Sequence, residues 1–164
     1  MDSKLLVLKL YLDALNVPLK IDLVEDRKLV QKAVYLGQLS GVDLGYRYGW
    51  YKLGPYCASL TDDYYELARV MASNPAEIEN KHFSTEVQNK LAKITPLLPA
   101  QCNLTQPQWV ELLASYHYLT QIRNKTHEEA VEVLIQEKPL IANFADQAKE
   151  LLSQNNLLEQ HERI

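Results

Sequence analysis

The sequence predicts a mainly α-helical protein with one minimal β-element, mainly α with a minor α+β component. Three observations predict it. Apolar residues recur at helical spacing in seven segments that cover most of the chain. Thr105–Gln108 and Thr126–Glu129 have the spacing of helix-starting capping boxes. One stretch alone, Tyr46 to Tyr51, is aromatic and β-favouring.

Residues 2–16 place Leu5, Leu8, Leu12 and Leu15 on one helical stripe, which Asn16 and Pro18 stop. Asp26 can cap a second helix over about 27–40, with Val30, Ala33, Val34 and Gly37 on one face. Tyr46–Tyr51 is read as a short strand, and Gly54-Pro55 as the turn after it. Ser59 and Asp62 have capping-box spacing for a third helix to about Ser73, with the stripe Leu60, Tyr64, Leu67, Ala68 and Met71. Asn74-Pro75 ends it. His82-Phe83 is expected to be extended and to pair with the aromatic strand. Ser84 caps a helix to about Leu97, and residues 98–104 form a Pro-containing linker.

Three helices follow. The first carries Pro107 in its first turn and a buried side of Trp109, Leu112, Leu113, Tyr116 and Leu119. The second runs from Thr126 to Glu137, where Lys138-Pro139 breaks it. Ile141, Phe144, Ala145, Ala148 and Leu152 mark the third, which ends at Asn155-Asn156. Residues 159–164 are polar and expected to fray. Helix, helix, short strand, helix is compatible with a winged-helix-like N-terminal part, residues 1–97. A three-helix part, residues 105–158, would pack on it to give one compact domain, because its stripes need a partner surface.

At 164 residues and 47% hydrophobic content, roughly 70% of the unfolded surface can be buried, so no staples are needed. Residues 1–60 carry eight Lys/Arg against six Asp/Glu, and residues 61–164 carry nine against fifteen. That asymmetry argues against wrapping nucleic acid by bulk charge. It leaves a local contact through the N-terminal part open. Cys57 and Cys102 make neither a disulfide framework nor a zinc pattern, so reduced thiols in a cytoplasmic protein are expected. The start carries no apolar leader region, and no apolar run approaches membrane-spanning length.

The densest signal lies between residues 46 and 65, which hold six of the ten tyrosines. Strand alternation would put Tyr46, Tyr48 and Trp50 on one face and Arg47, Gly49 and Tyr51 on the other, one for the core and one for a contact. Tyr and Trp offer large, rigid, amphipathic contact area. Candidate partner-binding residues are therefore Tyr46, Tyr48, Trp50, Tyr51, Gly54, Pro55 and Tyr56. Gly54 and Pro55 read equally well as purely structural, set there for their backbone angles.

Val30-Gln-Lys-Ala-Val-Tyr-Leu36 resembles the Leu-Gln-Lys-Leu-x-Tyr-x pattern of the bacterial YwgA-like proteins and of the SocA-like Panacea antitoxin domain. The aromatic run with Gly54-Pro55-Tyr56, Leu60 and Asp63 is similar to their aromatic-x-x-Tyr-Gly-Pro-Tyr-Ser-x-x-Leu-x-x-Asp pattern, with Leu53 and Cys57 where tyrosine and serine are usual. Trp109 to Leu158, with Lys125-Thr126, Glu128-Glu129-Ala130 and Lys138-Pro139, looks like the YwgA-like tail. The resemblance implies an antitoxin-like or phage-defence-associated adaptor with a protein partner. It marks Gln31, Lys32, Tyr35 and Asp63 as motif positions of structural weight. Gln31 and Lys32 fall beside the apolar stripe of the second helix, either as an exposed, solvated pair or with Gln31 bonding the Gly-Pro backbone and Lys32 pairing with Asp63.

The alternative is a winged-helix transcriptional regulator. The outward face of helix 60–73 carries Asp62, Glu66 and Arg69, which repels phosphate, so Lys28, Lys32, Arg47 and Lys52 are the candidate DNA contacts. Catalysis has little support. His82, His117, His127 and His161 are scattered, and His127-Glu128 lacks a second His at zincin spacing. Asp62 and Asp63 diverge by about 100° on a helix. Cys57 has no local histidine and reads as a small buried residue. No catalytic residue, metal ligand or cofactor is assigned. A homodimer through the stripe of helix 141–152 stays open.

Overall fold

A computed structural model describes residues 1–52 and 54–159. The order is α1 (Ser3–Ala14), α2 (Val24–Gln38), β1 (Gly49–Tyr51), β2 (Gly54–Tyr56), α3 (Ala58–Ser73), α4 (Thr85–Leu91), α5 (Gln106–His117), α6 (His127–Glu137), α7 (Pro139–Ala142) and α8 (Ala145–Gln154). The molecule is mainly helical, with one two-stranded antiparallel sheet among the described residues. None of its helices is long and apolar enough to cross a membrane.

Two helices form the centre. Every residue from Lys28 to Gly37 of α2 is buried, and so is every residue from Trp109 to His117 of α5. A helix covered on all sides belongs in a core. The two pack against each other more extensively than any other pair of elements. One cluster of buried side chains runs from Leu5 to Leu152, so both halves of the chain share it. Gly37 is what lets α1 close on α2. A Cβ there would lie 2.6 Å from the Tyr11 ring, whose hydroxyl donates to the Val42 carbonyl at 2.8 Å.

Most caps are the expected ones. Ser84, Thr105 and Thr126 each accept from the third residue of their helix, and Gln108 and Glu129 complete the two boxes. The differences have local causes. The Leu23 N–H donates to Asp26, so Asp26 lies in the first turn of α2, which starts at Val24. The Ser59–Asp62 box does not start α3, which begins at Ala58 with Cys57 before it. The helix predicted to reach Leu97 stops at Leu91, and a 3-10 turn follows over Thr95–Leu97, because Pro96 has no N–H to offer the Ala92 carbonyl one turn back. The last predicted helix is two pieces, α7 and α8, since Phe144 leaves helical geometry. α5 runs on into a π-helical turn, Tyr118–Ile122.

The β-element also differs. Gly54-Pro55 is not the turn but the start of β2, with Trp50 opposite Pro55 and Tyr51 opposite Gly54. Proline is tolerated because a two-stranded sheet leaves each strand an edge. Tyr46 lies outside the ladder because Gln38 takes both its N–H (3.1 Å) and its carbonyl (3.0 Å). His82-Phe83 pairs with neither strand. It lines a cleft of about 580 Å³ with Leu10 and Ala14. The expectation for residues 160–164 lies outside the described residues.

Candidate functional site

The hairpin is held from below by α2. The Gln31 side chain, 2% exposed, acts as a surrogate strand. Its amide donates to the Cys57 carbonyl (2.9 Å) and to Thr61 Oγ1 (2.9 Å), and its oxygen accepts the Cys57 N–H (3.0 Å). Gln31 therefore bonds the backbone just beyond Gly54-Pro55. Gln38, two helical turns along the same face, clamps the other end of the aromatic segment at Tyr46. The two glutamines satisfy backbone groups that a three-residue ladder cannot reach.

The aromatic run divides between core and surface. Tyr46, Gly54 and Pro55 are buried, Tyr48, Trp50 and Tyr56 are half-buried, and Arg47, Tyr51 and Lys52 are exposed. The predicted alternation is present in burial only in part: Arg47 and Tyr51 are exposed, but Gly49 is as half-buried as Tyr48 and Trp50. The buried Tyr46, Gly54 and Pro55 are structural rather than available to a partner. Tyr48 donates to the Gln31 carbonyl (3.0 Å) and meets the Tyr35 ring edge-on at 5.1 Å. Trp50 stacks on Tyr118 at 5.8 Å and reaches Glu137 through its indole N–H at 3.4 Å.

Beneath the hairpin lies a cluster of charged side chains that sequence reasoning missed. Glu111 of α5, 6% exposed, bridges Lys28 (2.7 Å) and Lys138 (2.8 Å). Lys138 also donates to the Lys52 carbonyl at 3.0 Å and lies 5.6 Å from the centre of the Trp50 ring. Lys28 meets Glu25 at 3.2 Å. Lys32 is 1% exposed. Burial pushes its ammonium down to about 7, and Lys138 and Lys28 push the same way against Glu111. The Glu111 and Glu25 carboxylates beside Lys28 hold its ammonium above the usual lysine value, against the burial that opposes them.

Two predicted roles change here. Lys32 does not pair with Asp63. It faces α5, whereas Asp63 of α3 accepts from the Tyr46 hydroxyl (2.7 Å) and pairs with Lys4 (2.9 Å). Lys28 and Lys32 are also too deeply buried to meet a phosphate backbone, which leaves Arg47 and Lys52 of the four candidate DNA contacts. Arg47 is paired with Asp43 at 3.2 Å. Among the described residues no group of three or more His, Cys, Asp or Glu could hold a metal ion, and both cysteines are free.

Two histidines are less scattered than their sequence positions imply. Tyr35 Oη lies 2.7 Å from His117 Nδ1 in the core. Burial pushes the imidazole down to about 4, with the Leu157 backbone opposing. Burial also raises the Tyr35 phenol, which keeps its proton and donates to the neutral ring. His127 lies between Tyr116 (2.8 Å) and Asp146 (3.0 Å), tying α5 and α8 together beside a groove of about 940 Å³.

The His117 shift sets an acid limit. The native value lies below the ordinary value of about 6.5, so the neutral ring is the form that folding favours. Its contribution is present above pH 6.5 and is lost as pH falls toward 4, because the unfolded chain takes up a proton that the native chain refuses. The expected loss is about 3 kcal/mol. Denaturant unfolding at stepped pH checks it. His117→Phe should flatten that part of the profile, and an unchanged slope assigns the loss to other groups.

Compared with protein-family models, with curated proteins and with solved structures, the chain matches none.

Proposed function

We propose that the chain is a non-enzymatic interaction module that binds a partner protein through the tip of its hairpin. The kind of protein is the one the resemblance implies, an antitoxin-like or phage-defence-associated adaptor. The observation that carries the reading is Tyr51. Its side chain is 57% exposed on a hairpin whose other aromatic rings are packed. Among the described residues its one ring neighbour is Tyr56, edge-on at 5.2 Å. The backbone beside it is pinned by Lys138 at Lys52 and by the stacked Trp50. A bulky aromatic on a fixed backbone loses little freedom on binding, which is the property of an interface anchor.

The test is quantitative capture of the partner from the native host at low salt, with and without nuclease, by the wild-type chain and by Tyr51→Ala. The exposed ring contributes little to the core, so the variant should unfold within about 0.5 kcal/mol of wild type. Capture should fall by roughly tenfold or more, the effect of losing an anchor of about 2 kcal/mol. Equal capture by a folded Tyr51→Ala removes the reading. Retention of nucleic acid alone, lost on nuclease treatment, would replace it with the regulator reading and point to Arg47 and Lys52.

A further inference from the structure

The two edges of the hairpin are finished differently. Trp50 stands opposite Pro55 in the ladder. Proline has no N–H, so this pair exchanges no hydrogen bonds, and the bonds run between Gly49 and Tyr56 and between Tyr51 and Gly54. The Trp50 N–H and carbonyl therefore point away from β2. On the far side of β2 the outward groups of Cys57 are taken by the Gln31 side chain, at 3.0 Å for its N–H and 2.9 Å for its carbonyl. β2 also packs on α2 and α5, while β1 packs chiefly on β2. Among the described residues nothing does for Trp50 what Gln31 does for Cys57. Its outward N–H and carbonyl have no hydrogen-bond partner there, and neither have those of Tyr48. Gly49 between them has only backbone to expose and is half-buried, so the main chain of β1 is partly open. The bare Gly49 also leaves room for the Tyr51 ring along the strand, since a Cβ there would stand 3.2 Å from Tyr51 Cε2.

We propose that this outer edge of β1 receives an extended, acidic segment of the partner protein as a third strand. The inference rests on the interaction reading and names how the partner is held. Main-chain donors and acceptors at every second residue of an edge are complementary to another extended backbone. Charge selects the segment. Arg47 and Lys52 flank the strand, and Arg123 lies over the Tyr118 ring on which Trp50 stacks. Against these three cations stand Asp43, which holds Arg47, and Glu137 at the Trp50 indole. Lys52 is exposed and has no carboxylate partner among the described residues. A glutamate or aspartate on the added strand supplies one. The same charges disfavour a second copy of this chain, because pairing β1 with itself brings two sets of Arg47 and Lys52 together. The added strand runs beside Tyr51, whose exposed ring is placed to cover it.

The probe is an alternating Val-Glu hexapeptide with blocked ends, titrated to millimolar concentration into the isotope-labelled full-length chain. The matched probes are a Val-Lys hexapeptide and the Val-Glu peptide N-methylated at every amide. The Val-Glu peptide should shift the Trp50 amide resonance saturably and slow its hydrogen exchange several-fold, because the amide passes from water to a carbonyl. The N-methylated peptide should leave that amide unmoved, and the Val-Lys peptide should bind several-fold more weakly at low salt. Lys52→Glu, at an exposed position, should stay folded and reverse the preference. No protection of the Trp50 amide by the Val-Glu peptide overturns the proposal, and so does equal protection by the N-methylated one. A Val-Lys peptide that binds as well, or an unchanged preference in Lys52→Glu, overturns it too. Protection that grows with chain concentration when no peptide is present overturns it in favour of a second copy. The readout is the Trp50 amide and not the Tyr51 ring, so failure here and failure of the capture experiment are separate results.

Discussion

Glu111→Ala is expected to destabilise the protein by about 3–5 kcal/mol, the cost of leaving buried charges without their counterion. Glu111 is the only buried carboxylate facing Lys28 and Lys138 among the described residues, and it occupies both. Without it, Lys138 keeps a carbonyl and the Trp50 ring, and Lys28 keeps the half-exposed Glu25. Neither arrangement balances charge in a site closed to water. Denaturant unfolding gives the loss as a fall in midpoint at constant slope. The companion variant Glu111→Leu with Lys28→Met and Lys138→Met should recover most of it, since replacing a whole buried ion cluster by apolar side chains is often neutral. A loss below about 1 kcal/mol for Glu111→Ala would mean that water reaches the cluster and screens it.

Trp109→Ala is expected to cost about 3–5 kcal/mol, by a different route. The indole is fully buried at the start of α5, and its N–H donates to the Leu97 carbonyl at 3.1 Å. Truncation opens a cavity and also leaves that carbonyl without its donor. The bond joins α5 to the 3-10 turn that ends the first half, so the seam over residues 98–104 is closed by this side chain. Trp109→Phe should recover most of the packing and lose the bond, for about 1–2 kcal/mol. If the two variants unfold alike, the hydrogen bond contributes nothing beyond volume.

The helices were legible because their signals are local. The stripe Leu5, Leu8, Leu12 and the boxes at Thr105 and Thr126 need no partner to be read, and they appear where expected. Gln31 was expected on the Gly-Pro backbone and bonds instead the Cys57 backbone two residues past Pro55. Its neighbour Lys32 was placed against the wrong partner, because helical angle says which side of α2 it leaves from and not which helix lies there. The Gly54-Pro55 turn was misread for a similar reason. A Gly-Pro pair signals a bend in isolation, but here the register with Trp50 and Tyr51 makes it a strand. Glu111 and Ser115 carried no signal of their own, and Lys138 was read only as part of the helix break with Pro139. A glutamate inside the run from Trp109 to Leu119 looks like one polar edge of a stripe until α2 covers that edge. The fold's local grammar lies in the sequence, and its charge accounting appears only once α2 and α5 have met.

That meeting has a consequence for how the chain is made. From Lys28 to Gly37 α2 is buried on every side, yet its chief covering element is α5. On the ribosome, about 70 residues must follow α2 before α5 begins, a wait of several seconds at roughly 5–20 residues per second. During that interval the two lysines of α2, Lys28 and Lys32, and the apolar residues on its α5 side lack their chief cover, with only α1 and the hairpin packed against the helix. The first half therefore completes its core only after α5 has been made.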